Sequence, residues 1–133
     1  MVEVVGKIDT AMFSRISTSI ITNEVVITKK QDEHAVERHG NVFEKYKPHI
    51  EDILLNPDWI IRDSKRPNTA LILKTFKGEE QKNVNIVLRL IVEGENPEYK
   101  NSIITIWEMN DKKMKQAIRN KEVVYNHNCS MIE

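Results

Sequence analysis

Val84-Asn85-Ile86-Val87-Leu88-Arg89-Leu90-Ile91-Val92 is the stretch whose reading decides the fold class. Val84, Ile86, Leu88, Leu90 and Val92 fall on one side, and Asn85, Val87, Arg89 and Ile91 on the other. That period of two predicts a strand. Residues 70–76 predict a second strand before it, joined through a polar turn at 77–82 that contains Gly78. Residues 102–109 predict a third, after a loop with Gly94 and Pro97. Trp59-Ile60-Ile61 reads as a short strand leading into the turn Lys65-Arg66-Pro67-Asn68, and residues 122–125 as a last one.

The N-terminal part reads differently. Val2 to Val5 and Ile16 to Ile21 each suit a strand, and Asn23-Glu24 suggests a hairpin from Ile20-Ile21 into Val25-Val26-Ile27. Thr28 and Gln31 match a capping box, so a helix is expected over 29–39, ended by Gly40. Phe43, Tyr46, Ile50, Ile53 and Leu54 recur at helical spacing and predict a second helix, stopped at Asn56-Pro57. Asn110 is expected to cap a short helix that turns Met114, Ala117 and Ile118 inward. The fold class expected is α+β: N-terminal helices packed on one face of a four- to five-stranded antiparallel sheet, plus a short C-terminal helix.

The 133 residues suit one domain, 1–133, with residues 1–20 as an extension of uncertain role. Lys plus Arg equals Asp plus Glu at 20 each, which argues against a broadly basic coat but leaves room for a local basic site. A single cysteine, Cys129, excludes a disulfide framework within the chain and a Cys-rich zinc site. The first residues lack a basic region followed by a long apolar run, and no run reaches about 18 apolar residues, so the expectation is a soluble cytoplasmic domain without a secretory leader or membrane contact.

Chemistry-bearing residues stand out against this background. His34-Ala35-Val36-Glu37-Arg38-His39 places two of the four histidines beside a guanidinium. Near neutral pH an imidazole takes or gives a proton, and an Arg holds an anionic phosphate. His34 and Arg38 share a helix face, whereas His39 lies about 140° away from His34. A surface His34, an ion-paired Arg38 and a capping His39 would explain the same residues. Helical zinc pairs need three- or four-residue spacing and a third ligand, so no metal is expected. Lys74 and Arg89 are cations on otherwise apolar strands, readable as a phosphate clamp or as internal salt bridges. Asn101-Ser102-Ile103-Ile104-Thr105-Ile106-Trp107 adds donors and an indole. Strict alternation puts Ser102, Ile104 and Ile106 on one side, and Ile103, Thr105 and Trp107 on the other. Lys112, Lys113, Lys115, Arg119 and Lys121 form a run without an internal acid: a solvated helix face, or a contact for an RNA backbone.

Together, Ile27-Thr28 leading into His34-x-x-x-Arg38-His39, then Asn56-Pro57-Asp58-Trp59-Ile60, Lys65-Arg66-Pro67-Asn68-Thr69 and Asn101-Ser102-Ile103-Ile104-Thr105 resemble a phage-associated nuclease family of the barnase–EndoU–colicin–RelE-like (BECR) group. The resemblance spans roughly residues 20 to 126. It implies a metal-independent ribonuclease, sometimes a toxin with an antitoxin or immunity partner. In that reading the RNA 2′-OH attacks the adjacent phosphorus, with His34 as base and His39 as acid or orienting group. Arg38, Lys74 and Arg89 would stabilise negative charge, Thr105 would position a phosphate oxygen, and Asn101, Ser102 and Trp107 would bind substrate. A non-catalytic RNA- or protein-binding module is the alternative, and no cofactor is expected.

Overall fold

The computed structural model describes residues 2–28, 45–77 and 82–126. The helix expected over 29–39, with Gly40 and Phe43, lies outside the described residues, as does Cys129.

The described residues form seven strands: β1 (Val2–Lys7), β2 (Glu24–Thr28), β3 (Trp59–Arg62), β4 (Thr69–Phe76), β5 (Lys82–Arg89), β6 (Asn101–Met109) and β7 (Val123–Asn126). Two α-helices accompany them, α1 (Ile50–Leu55) and α2 (Asp111–Asn120). The strands make one sheet in the order β1-β2-β6-β5-β4-β3-β7. All neighbours are antiparallel except β2 and β6, which run parallel through Val25↔Asn101 and Val26↔Ser102.

This overturns the expected fold class. The sheet is not a four- to five-stranded antiparallel one, and it is mixed rather than uniform. Nor does a pair of long N-terminal helices cover it among the described residues. Three physical causes account for the difference. The strand expected at Val2 to Val5 runs over Val2–Lys7 and pairs with β2 along Val2↔Thr28 to Lys7↔Glu24, adding an edge strand to the sheet. The hairpin expected at Asn23-Glu24 does not form: residues 14–16 and 18–19 are turns, and Ile20 makes only an isolated bridge to Val92. The second helix is interrupted within its apolar stripe: Lys45 and Tyr46 are helical, Pro48 sits in a 3₁₀ turn, Lys47–His49, and α1 follows. Proline cannot donate the backbone bond that a continuous helix interior needs.

The sheet is buried on both sides, and each side has its own core. On the α1 side, Ile50, Ile53 and Leu54 pack with Val25, Ile27, Ile60, Ile72, Val84, Ile86, Leu88, Ile103 and Ile106, together with Phe13 from the 3₁₀ turn Thr10–Phe13. On the α2 side, Met114 packs with Ile61, Leu71, Leu73 and Val87, and Ala117 and Ile118 lie against them. Gly6 lets α1 approach β1: a Cβ there would lie 3.1 Å from Leu54 Cδ1 and 3.3 Å from Glu51 Cα. Asn68 turns the chain between β3 and β4 with φ 53°, a left-handed conformation that Asn tolerates.

A β-bulge shifts the register between β5 and β6 at Val87/Leu88, where Val87 pairs with Thr105 but Leu88 with Ile103. The extra residue breaks the alternation in β6. Ile103 and Ile106 therefore both reach the α1-side core, while Ile104 packs on the α2 side with Trp107. The grouping of Ser102, Ile104 and Ile106 on one side, expected from strict alternation, fails for this reason.

Candidate functional site

The two faces separate the residues expected to form one site. Lys74 alternates with Ile72 on β4 and lies on the α1 side. Its Nζ donates to the Asn56 carbonyl at 2.6 Å and stands 3.9 Å from Asp52 Oδ2. It thus neutralises the C-terminal end of α1, where a cation is favoured. Thr105 faces the other way: it is opposite Val87, and Trp107 is opposite Asn85, both on the α2 side. Arg89 follows Val87 by two residues on that same side and is paired with Ser102.

Arg89 and Asn101 both have partners within the fold. The Arg89 guanidinium grips Glu95 with both ends, at 2.7 Å and 3.2 Å, and also donates to the Leu90 carbonyl. Glu95 in turn accepts from the Val92 amide at 2.9 Å. That amide, with Arg89, holds the Glu95 carboxyl below the usual range. Asn101 is fully buried; its Oδ1 accepts from the Ile91 amide at 2.9 Å and its Nδ2 donates to the Thr22 carbonyl at 2.8 Å. Both are structural clasps. His34, Arg38 and His39 lie outside the described residues. Of the expected site, the structure brings Arg89, Ser102, Thr105 and Trp107 to one side of the sheet and places Lys74 on the opposite side.

Two of the segments that carry the family resemblance, 56–60 and 65–69, lead through bends and turns into β3 and β4. Asp58 Oδ2 accepts from the Thr75 amide at 2.8 Å, fastening the start of β3 to β4. Asp63 Oδ1 accepts from the Lys65 amide at 2.8 Å, and the Thr69 hydroxyl donates to the Pro67 carbonyl at 2.9 Å.

A polar cluster that sequence reasoning missed lies at the edge of the α1 side. The buried Tyr46 hydroxyl donates to Glu108 Oε2 at 2.6 Å, and Lys45 Nζ approaches the same oxygen at 3.2 Å. Burial, then the Glu108 contact, push the Tyr46 phenol well above its ordinary range. The Tyr46 hydroxyl and then Lys45 hold the Glu108 carboxyl below its own. The His49 ring stands 5.4 Å from Phe76 and 6.4 Å from Tyr46. With tyrosine neutral and glutamate ionised, the pair tethers the chain before α1 to β6. The available signal was Glu108 itself, a charge on the side of β6 that carries Ile106.

The α2 side offers a different surface. Asn110 Oδ1 accepts from the Lys113 amide at 2.8 Å and starts the helix. Met114 is buried and Ala117 and Ile118 half-buried, while Lys112, Lys113, Lys115, Gln116, Arg119 and Lys121 are exposed. None of the five cations makes an ion pair among the described residues. Lys112, Lys115 and Arg119 share one stripe at three- and four-residue spacing. Outside 111–121 the chain carries 15 basic against 19 acidic residues, so this helix concentrates positive charge on an otherwise acidic protein.

Among the described residues no group of three His, Cys, Asp or Glu side chains is arranged to hold a metal ion. No helix among them is long and apolar enough to cross a membrane. No family model, no curated protein and no solved structure matches this chain.

Proposed function

We propose that the chain binds the phosphate backbone of RNA through the solvent face of α2, with Trp107 and Ser102 on the same side of the sheet. The observation that supports this reading is the row of cations on α2 that make no ion pair among the described residues, set beside strands whose own cations Lys74 and Arg89 are already engaged. Contacts from Lys and Arg to phosphates supply most sequence-independent affinity, and an aromatic side chain adds a stacking surface. The choice of RNA comes from the family resemblance. Cleavage comes from that resemblance alone: it needs His34, Arg38 and His39, and Lys74 does not share a face with Thr105. An antitoxin or immunity partner belongs to the cleavage reading, whereas the proposed cytoplasmic setting follows from the composition.

The test is a titration of labelled RNA at several salt concentrations. Lys112→Glu, Lys115→Glu and Arg119→Glu combined should weaken binding by at least about tenfold near 0.1 M salt. Three lost phosphate contacts should also flatten the plot of log affinity against log salt by about 2. Unchanged affinity and slope would remove α2 from the interface. The same reactions report on cleavage: new 5′-OH ends that vanish in His34→Ala would establish a ribonuclease in place of a binding module, and intact RNA would leave the binding role.

A further inference from the structure

Asn85 is the most anomalous polar residue in the described structure. It sits in the middle of β5 with none of its surface exposed, and neither Oδ1 nor Nδ2 has a hydrogen-bond partner. The Thr105 hydroxyl, two residue pairs along the neighbouring strand, is likewise buried and unpartnered. Leaving such groups unsatisfied is unfavourable, and native proteins keep few of them. Asn83, two residues earlier on the same face, shows how this sheet treats a carboxamide with a purely structural role. Its Oδ1 accepts from Thr75 at 2.8 Å, and its Nδ2 donates to Asp111 at 2.7 Å and to the Met109 carbonyl at 3.2 Å.

The surroundings of Asn85 narrow what would complete it. It lies in register between Leu73 and Trp107, with Val87 beyond it on the same strand. Arg89, the cation on this side of β5, is bound to Glu95. That cation is therefore already neutralised, which disfavours a phosphate or carboxylate at Asn85 itself. The carboxamide presents one donor and one acceptor side by side in a plane, Thr105 adds a hydroxyl, and the adjoining indole is half-exposed. That combination fits a flat, uncharged ligand with a donor–acceptor edge.

We propose that Asn85 and Thr105 read the edge of an unpaired nucleobase that stacks on the half-exposed Trp107. The proposal rests on the RNA-binding reading above and gives it a base-selective position. α2 holds the backbone, and the β5–β6 pair selects the base. A bidentate carboxamide contact discriminates between bases by an order of ten-fold or more.

The experiment measures binding of four homopolymeric oligoribonucleotides, of A, C, G and U, to wild-type protein, Asn85→Leu and Thr105→Val. One homopolymer should bind the wild type roughly ten-fold or more tightly than the others. Asn85→Leu should abolish that preference while keeping the salt dependence contributed by α2. Removing an orphaned polar group is neutral or stabilising, so the variant is expected to fold with an unchanged or higher melting temperature. If it does not fold, Thr105→Val, which keeps the side-chain shape, should reduce the preference and carries the test. Equal binding of all four by the wild type, or a preference that survives in the folded variants, would overturn base reading and leave backbone binding intact. No binding of any oligomer would overturn both.

Discussion

Asn101 holds two backbone segments at once, the amide of Ile91 and the carbonyl of Thr22, from a fully buried position. Asn101→Ala leaves both without their partner. It should cost about 2–3 kcal/mol of stability, measured by urea denaturation, with no separate effect on RNA affinity in the folded fraction. A specific loss of affinity at unchanged stability would instead return Asn101 to a binding role. Glu108 sets a pH dependence. Its carboxyl is held below the unfolded value, so its contribution is present above about pH 4.5 and lost as pH falls through the lower folded value. Glu95 acts in the same direction. The Tyr46 phenol, raised above 10.0, contributes with the opposite sign: its share is present below that pH and lost as pH rises. Melting curves from pH 7 down to about pH 3 should fall less steeply for Glu108→Gln than for wild type; superimposable acid limbs would contradict this. At this scale the sequence exposes which residues are unusual and hides their partners. Arg89 and Lys74 stood out correctly as cations among apolar residues, but only the fold shows that Glu95 and the end of α1 consume them.

β5 and α2 were legible because their periodicities are local. The alternation of Val84, Ile86 and Leu88, and the inward spacing of Met114, Ala117 and Ile118, depend on nothing beyond the chain itself. β6 was legible as a strand but not as a pair of faces, since its bulge exists only opposite Val87 and Leu88. β1 was harder still. A short apolar run gains its meaning from β2, and β2 from its parallel contact with β6, more than 70 residues away in sequence. Gly6 marks where β1 passes beneath α1. Gly6→Val would press on Leu54 and on the Glu51 backbone, and should lower stability by about 1–3 kcal/mol, read as a lower melting temperature. An unchanged melting temperature would mean that α1 can move away from the strand.

For the whole molecule, the sheet acts as a partition. Its α1 side holds the larger core, Lys74 and the Tyr46–Glu108 tether; its α2 side holds the smaller core, Thr105, Trp107, the orphaned Asn85 and the basic helix. A single pocket combining Lys74 with Thr105 cannot form across a sheet buried on both sides. The binding role proposed for α2 and the base reading proposed for Asn85 avoid that obstacle, because both use one face. The sequence by itself determined the locally periodic elements, the cluster of positive charge at 112–121 and the rarity of the chemistry-bearing residues, since each follows from composition or from neighbours along the chain. Only the tertiary structure decided the number of strands, their mixed direction, which face each polar residue occupies and which cations are already paired, since those depend on contacts between distant segments that close only when the sheet assembles.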